Sequence, residues 1–470
     1  MASPSFYFAF FLLSLAFSSA CLLVCGEEDR TDIEVDTQFL LPNDACSASN
    51  KGTLSSKKAS LRVVHRQGPC SPLIGRQKRI SHEQILIQDQ AHVDSLQRRV
   101  STTSSLGEHP NLDGLAASAI PARNGHSLET ANYIVTVAFG TPKKAQTIIF
   151  DTGSDVTWVQ CQPCVGSCYM QQDPLFDPSQ SSTYTNTSCS SAFCDELTAR
   201  GCSGKTCLYG VQYGDGSITV GFYAEDTLTL SPYEVLPHFR FGCGERNEGI
   251  FGEVAGILGL GRGKPSLVSQ TYPKYGEVFA YCLPPTESST GYLTFGSGYP
   301  SSTKLQYTPM LSEARAPSFY FLTLTAISVG GQQLPVSPAV FSKGGSIIDS
   351  GTVITRLPPT AYAALRSAFR QAMSVYKSAP ALSILDTCYD LSGYDKVKIP
   401  VVALYLGGGV KLELGEAGTL YVASSSQVCL AFAANGDDSD MGILGNVQQR
   451  GLNVVYDVPK KVIGFSYGGC

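Results

Sequence analysis

The sequence predicts a mostly β protein that contains two similar halves. The chain of 470 residues is rich in Gly (46) and Pro (26), with 23 Tyr and 22 Phe, and long helical patterns are few. This composition favours many short strands separated by turns. Apolar residues make up 43% and charged residues 16% of a chain long enough for two cores, so we expect a globular protein and exclude a disordered one.

A repeated tetrapeptide predicts that the two halves arose from one pattern. Asp151-Thr152-Gly153-Ser154 and Asp349-Ser350-Gly351-Thr352 each follow an apolar run, and residues 255–259 (AGILG) and 441–445 (MGILG) trail the two copies. Each copy places a carboxylate at the end of a buried strand, then a hydroxyl, a glycine that permits close backbone approach, and a second hydroxyl. A single Asp-Thr-Gly is most often a polar turn, but two copies with matching surroundings indicate an internal duplication.

Two adjacent carboxylates can perform acid–base chemistry without a metal or cofactor. They cannot both ionise cheaply, so they share one proton and titrate as a pair. The ionised member can take a proton from a water molecule while the protonated member polarises a peptide carbonyl. We therefore predict hydrolysis at Asp151 and Asp349, with no cofactor.

The paired motifs, with their trailing Gly-containing elements, resemble those of pepsin-like aspartic proteases over roughly residues 130–470. The resemblance implies an aspartic endopeptidase with a bilobal β fold, the lobes being residues 126–310 and 311–470, and a cleft that takes extended peptides. It also gives roles to the motif residues. Thr152 and Ser350 would brace the two loops, Ser154 and Thr352 would bind the outer carboxylate oxygens, and Gly153 and Gly351 would leave their N–H groups accessible.

A flap over the cleft is the third element of this resemblance. Tyr213 and Gly214, in the sequence YGDGS, resemble the tip of the family's flap hairpin, and Trp158 stands where the family has a flap-supporting tryptophan. Trp158 is the one tryptophan of the chain. An ordinary core aromatic is the alternative interpretation of it.

Twelve cysteines between residues 161 and 470 predict six disulfides. Seven lie in residues 161–207, and their Cys-x-x-Cys opening also suggests zinc; one histidine alone, His238, follows residue 126, so bridges explain the cluster better. The insertion resembles that of plant nepenthesin-type proteases. That resemblance implies the pairs Cys161 with Cys164, Cys168 with Cys243, Cys189 with Cys207, Cys194 with Cys202, Cys282 with Cys470, and Cys388 with Cys429.

The first 125 residues differ in composition from the rest. Residues 1–26 have the apolar pattern of a secretory signal peptide, with a signal anchor as the alternative. Residues 27–125 are predicted to be a pro-segment and linker. Residues 51–79 contain eight Lys or Arg and no acidic residue. A helix is predicted from Ser81 to about residue 100, because Ser81 and Gln84 have capping-box spacing before an apolar face.

The charge difference suggests a zymogen. The region after residue 125 carries 22 basic and 27 acidic residues, so the basic segment would be attracted to it near neutral pH and released by acid. The alternative interpretation of these basic residues is a solvated tail without a role in latency. Residues 61–70 also resemble the pro-segment of proteases related to a chloroplast-nucleoid DNA-binding protein, which suggests weak DNA binding as a further hypothesis.

These features together predict a secreted, monomeric, acid-active aspartic endopeptidase without a membrane span. We expect the apoplast as its location, with the vacuole or chloroplast as alternatives. Asn186 lies in the sole glycosylation sequon, whose use stays open. The rival hypothesis is a catalytically silent binding protein similar to the plant pepsin-fold inhibitors of xylanase, although such proteins tend to lose a catalytic Asp or the flap.

Overall fold

The computed structural model describes residues 31–41, 45–47, 59–73, 80–102, 133–213, 216–249, 251–299 and 305–470. The predicted signal peptide, most of the basic residues of 51–79, the linker up to residue 132 and Gly214 of the predicted flap lie outside these ranges. Within the described residues, strands dominate. The mostly β prediction is confirmed.

The described residues before 133 include the strands β1 (Asp32–Asp36) and β2 (Ser60–His65) and the helix α1 (His82–Thr102). The predicted capping box begins α1, since Ser81 Oγ accepts from Gln84 N at 3.2 Å and Gln84 Oε1 accepts from Ser81 N at 3.3 Å. Ile85 and Val93 on its apolar face are buried at 3% and 2% exposure. This face packs on the body of the protein, so α1 is a docked element.

The strands of the first half form one large sheet together with the last strands of the chain. They are β3 (Tyr133–Phe139), β4 (Lys144–Asp151), β5 (Trp158–Gln160), β6 (Thr185–Asn186), β7 (Arg200–Ser203), β8 (Thr206–Gln212), β9 (Ile218–Ser231), β10 (Glu234–Glu248), β11 (Gly256–Gly259), β12 (Val278–Cys282), β13 (Thr290–Phe295) and β14 (Gln306–Pro309).

The strands of the second half are shorter and lie in several sheets. They are β15 (Phe321–Leu322), β16 (Leu324–Val329), β17 (Gln332–Gln333), β18 (Ser346–Ile348), β19 (Thr355–Leu357), β20 (Lys377–Ala379), β21 (Cys388–Asp390), β22 (Lys396–Pro400), β23 (Val402–Leu406), β24 (Val410–Leu414), β25 (Leu420–Ser424), β26 (Gln427–Leu430), β27 (Phe432–Ala434), β28 (Gly442–Leu444), β29 (Leu452–Asp457) and β30 (Val462–Tyr467).

Helices are few and mostly short. They are α2 (Ala192–Asp195), α3 (Leu267–Gln270), α4 (Tyr272–Tyr275), α5 (Pro338–Gly344), α6 (Pro359–Ala372) and α7 (Glu416–Thr419). The 14-residue α6 begins at Pro359 and buries Tyr362, Leu365 and Phe369 on one face. It is therefore an amphipathic helix.

The sheets join the early segment, by which we mean the residues before 133, to both halves of the protein. The large sheet has the order β14-β30-β29-β12-β13-β2-β3-β4-β11-β5-β10-β9-β8-β7, with β6 paired to β9. Strand β2 therefore lies inside this sheet, between β13 and β3. Strand β1 forms a separate two-stranded sheet with β22, and β15-β18-β28-β19-β27 forms a five-stranded sheet.

The disulfides correct four of the six pairings implied by the nepenthesin resemblance. Cys282–Cys470 and Cys388–Cys429 are present as implied, whereas the others are Cys161–Cys243, Cys164–Cys168, Cys189–Cys202 and Cys194–Cys207. A further bridge joins Cys46 to Cys70 in the early segment.

Strand pairing and burial explain the corrected bridges. Strand β5 runs parallel to β10 with Val159 opposite Cys243. This register brings Cys161, two residues further along the chain, beside Cys243. Cys194 and Cys207 are both buried in the same apolar cluster, whereas Cys202 is exposed. The two buried cysteines therefore bridge each other, and the half-buried Cys189 bridges the exposed Cys202.

Candidate active site

The two halves present Asp151 and Asp349 in equivalent frames. Strand β11 runs parallel to β4, and β28 runs parallel to β18. Leu260 N donates to Asp151 O at 2.9 Å, and Asp349 N donates to Leu444 O at 3.1 Å. The duplicated apolar-apolar-Gly elements therefore anchor the backbone of each aspartate.

The two motif loops brace each other through their hydroxyl residues. Thr152 N donates to Ser350 Oγ at 3.1 Å, and Ser350 N donates to Thr152 Oγ1 at 2.9 Å. Both residues are almost fully buried. This reciprocal pair fixes one loop against the other, so the separation of the carboxylates is set by hydrogen bonds between backbone N–H groups and side-chain hydroxyls.

Each carboxylate receives a hydroxyl and a backbone N–H from its own motif. Ser154 Oγ donates to Asp151 Oδ2 at 2.5 Å, and Thr352 Oγ1 donates to Asp349 Oδ2 at 2.6 Å. Gly153 N and Gly351 N donate to the Oδ1 atoms of Asp151 and Asp349 at 2.9 and 3.3 Å. These bonds hold the two Oδ1 atoms on the inner side of the pair.

The motif glycines permit the close approach. A Cβ on Gly153 would lie 2.8 Å from Asp349 Oδ1, and a Cβ on Gly351 would lie 2.6 Å from Asp151 Oδ1. Carbon atoms do not reach such distances without displacement. An alanine at either position would therefore push the opposite carboxylate away.

The predicted flap residue meets the predicted tryptophan. Trp158 Nε1 donates to Tyr213 OH at 2.7 Å, and Phe251 packs edge-on against both rings at centroid distances of 4.8 and 5.4 Å. Trp158 is fully buried. The indole therefore has both a core-packing part and a polar contact that positions the tyrosine.

Helix α1 contributes a histidine that lies against the dyad. His92 Nε2 is 3.1 Å from Asp349 Oδ2, and the ligand atoms of His92, Asp151 and Asp349 lie within 4.8 Å of one another. This spacing would also suit a metal ion. The hydrogen bond already pairs the imidazole with Asp349, so we assign the three groups to proton chemistry.

Burial and mutual charge shift the pKa of all three groups. Burial, followed by the Asp349 charge, raises the pKa of Asp151. Burial alone would raise the pKa of Asp349, but the hydrogen bond and charge of His92 lower it. Burial opposes the charge on His92, yet the hydrogen bond that its ring donates to Asp349, together with the charge of Asp349, raises the pKa of His92 to about 9. The arrangement therefore favours an imidazolium, an ionised Asp349 and a protonated Asp151.

Further contacts of α1 occupy both sides of the dyad. Asp89 accepts from Val353 N and Ile354 N at 2.5 and 3.0 Å and pairs with Arg356 at 2.9 Å, and neither side chain of this ion pair is exposed. Arg99 NH1 donates to Gly153 O at 2.7 Å.

Gln97 completes these contacts by bonding both backbone groups of one residue. Its Nε2 donates to Met441 O at 2.7 Å, and its Oε1 accepts from Met441 N at 3.0 Å. The side-chain amide of Gln97 thus imitates a peptide group in the cleft.

Sequence reasoning identified α1 but missed its role in the site. Asp89, His92 and Leu96 follow one another at helical spacing, so two polar residues lie within an otherwise apolar stripe. A buried polar position of this kind requires a partner, and that requirement was the available signal. The sequence could not show that the partner is a residue more than 250 positions away.

A braced, buried pair of aspartates carried by matching β halves, beneath a tyrosine held by a tryptophan, defines an aspartic protease. Residues 133–297 match the family model described as Xylanase inhibitor N-terminal, and residues 319–467 match the one described as Xylanase inhibitor C-terminal. An aspartyl protease family protein of Arabidopsis thaliana is 47% identical over 468 residues, covering 98% of this chain and 97% of the relative. The chain belongs to the plant aspartyl protease family.

A further relative agrees with this assignment, and solved structures share the fold. Aspartic proteinase nepenthesin-1 of Nepenthes gracilis is 36% identical, over 72% of this chain and 78% of its own length. The crystal structure of edgp has a TM-score of 0.60 at 21% identity, covering 73% of this chain and 92% of that one. The crystal structure of Basic 7S globulin from soybean has a TM-score of 0.58 at 21% identity, covering 72% and 93%. At this identity the two structures establish the bilobal β fold alone.

None of the described helices has the length and apolar character needed to cross a membrane. Asn186 is exposed on the short strand β6, where Tyr184 OH donates to its Oδ1 at 2.8 Å.

Proposed function

We propose that the chain is the secreted precursor of an acid-active aspartic endopeptidase, in which α1 keeps the dyad closed. The observation that carries the proposal is the contact of His92 with Asp349 inside the braced pair. An imidazole at this position occupies the space beside the carboxylates that a scissile peptide needs. Arg99 and Gln97 bind the backbone on either side, so an extended substrate cannot enter while the helix is docked.

Departure of α1 would give the catalytic form of the dyad. Without the positive charge of His92, the carboxylates of Asp151 and Asp349 share one proton. A water molecule held between them then gives a proton to the ionised carboxylate as its oxygen attacks the peptide carbonyl. The remaining carboxylic proton polarises the carbonyl oxygen, and the amine leaves after protonation. Such a pair works at acid pH, because one of its two pKa values is low.

Tyr213 supports the choice of extended peptides as substrates. Its hydroxyl accepts from Trp158, which fixes the ring at the start of the flap hairpin between β8 and β9. A hairpin that closes over the cleft excludes water and holds the substrate along it. Proteins with exposed or unfolded segments are therefore the proposed substrate class.

Two histidines give the precursor opposite responses to acid. His92 has a raised pKa, so its stabilisation of the docked state is fully present below pH 6.5 and is lost as pH rises through about 9. His65 on β2 is 3% exposed, and burial lowers its pKa to about 4. Its neutral form suits the docked state, so docking weakens as pH falls from 6.5 towards 4. Acid therefore loosens β2, whereas on the acid side the His92 contact weakens when Asp349 is protonated.

Secretion is supported by the disulfides. The described residues contain seven bridges, which persist in oxidising compartments. Together with the apolar N-terminus, they favour the secretory route and the cell exterior.

Latency can be tested on the full chain. The protein held at neutral pH should not cleave a denatured protein, and after acidification it should lose its early segment and become active. N-terminal sequencing would locate the cut. The Asp349→Asn variant should remain uncut under the same conditions, whereas the exposed-site control Asp195→Asn should mature normally. Full activity of the uncut wild-type chain would overturn the precursor proposal.

A further inference from the structure

The edge of β22 is covered by β1, a short strand of the early segment. All five residues of β1 pair antiparallel with β22, from Asp32 opposite Pro400 to Asp36 opposite Lys396. Backbone bonds continue beyond both ends: Val401 N donates to Thr31 O, and Thr37 N donates to Asp395 O, each at 2.9 Å. In the described part of the chain, β22 pairs with no other strand.

The two strands have complementary side-chain patterns. Strand β1 alternates acidic and apolar residues (DIEVD), and β22 alternates basic and apolar residues (KVKIP). Glu34 lies opposite Lys398 and forms an ion pair of 2.7 Å with Lys396. Val35 is 7% exposed and belongs to the same apolar core as Val397 and Ile399.

Each part of this contact has a separate effect. Backbone bonds and the burial of Val35 supply affinity that depends little on sequence. The exposed ion pair adds little strength, but it selects carboxylates and rejects lysines at the facing positions. On the other side of β22 a backbone donor already has a partner, since Tyr376 OH accepts from Lys398 N at 2.7 Å. The edge that faces β1 is thus a strand-binding edge with a defined charge preference.

We propose that this edge is a second peptide-binding site of the protease, outside the cleft, for extended segments in which carboxylates alternate with aliphatic residues. Strand β1 occupies the site in the precursor, and removal of the early segment opens it to a protein substrate that carries such a segment. That the β22 edge is free in the mature enzyme rests on the proposed maturation, whereas the ability of this edge to bind a strand does not. A substrate held at β22 and in the cleft would gain local concentration, which lowers KM without changing kcat.

The site can be tested without maturation. The full-length Val35→Asp variant places a charge in the apolar position of β1 and should free the edge, while the rest of the chain keeps its contacts. A fluorescent peptide with the sequence of residues 31–41 should bind this variant and the acid-matured protein, but not the wild-type precursor. Circular dichroism and melting curves of the variant verify that the protein remains folded.

Charge reversal supplies the matched control. A peptide with Glu34→Lys should bind at least about fivefold more weakly, and Lys396→Glu in the protein should reverse that preference. Pepstatin bound in the cleft should leave peptide binding unchanged. The proposal is overturned if the peptide fails to bind the folded Val35→Asp variant, or if charge reversal does not alter its preference. If the peptide binds the Val35→Asp variant but the wild-type chain never matures, the precursor hypothesis is refuted and the β22 site is retained.

Discussion

His65 should set how strongly the docked early segment responds to acid. Its Nε2 lies 3.7 Å from Glu287 Oε1, its ring packs edge-on against Tyr133 at 5.6 Å, and its Nδ1 has no hydrogen-bond partner among the described residues. Glu287 favours a charged imidazole, but burial and the nearby charges of Arg450, Arg66 and His82 oppose it. His65 therefore binds a proton less readily in the docked segment than in the released one.

The expected size follows from the difference between the two pKa values. Burial lowers the pKa of His65 from 6.5 in the released segment to about 4 in the docked one. One pKa unit of difference is worth about 1.4 kcal/mol, so His65 makes docking weaker at pH 4.5 than at pH 7 by roughly 2 kcal/mol. His92 strengthens docking over the same interval by roughly 1 kcal/mol. The net loosening, roughly 1 to 2 kcal/mol, increases the released population about tenfold.

The assay is the first-order rate of maturation across a pH series. The His65→Phe variant keeps a ring beside Tyr133 but cannot bind a proton, so its rate should rise much less between pH 7 and 4.5. The comparison uses the ratio of rates at two pH values, which cancels any constant change in packing. His238→Asn, at an exposed position, is the control. An unchanged pH profile for His65→Phe would refute this reasoning.

Three further predictions concern the site and its frame. His92→Gln should remove a charge-assisted hydrogen bond worth about 1.5–3 kcal/mol, so the precursor should bind pepstatin roughly tenfold or more tightly at mildly acid pH; equal binding would contradict a direct block. Tyr213→Phe should lower kcat/KM about fivefold through the lost bond to Trp158, with melting temperature unchanged, and full retention of kcat/KM would remove that role. Peptide mapping by mass spectrometry should recover the Cys189–Cys202 and Cys194–Cys207 bridges and not the exchanged pairs.

The dyad could be predicted because its determinants are local and repeated. Each aspartate carries its own hydroxyl and glycine within three residues, and each ends a strand whose partner repeats as well. The sequence therefore indicated which groups meet. Likewise, the capping box and apolar stripe of α1 are local signals, and the structure contains that helix.

The rest depends on contacts between distant parts of the chain. The pairing of the clustered cysteines depends on strand register, since β5 aligns with β10 and brings Cys161 to Cys243. The place of His92 depends on where α1 docks, and the acidic pattern of β1 acquires meaning only beside the lysines of β22. Composition indicated that residues 51–79 and the protease region carry opposite charge, but the described contacts at the dyad are buried and specific.

The most direct test of the account is the loss of hydrolysis on removal of either catalytic carboxylate. The full chain carrying Asp151→Asn or Asp349→Asn should be compared with wild type and with Asp195→Asn after acid treatment, using cleavage of a denatured protein at roughly pH 3–5. Each dyad variant should show only background cleavage, and Asp195→Asn should match wild type. Cleavage by a folded dyad variant at a rate near that of wild type would contradict an aspartic mechanism at this site.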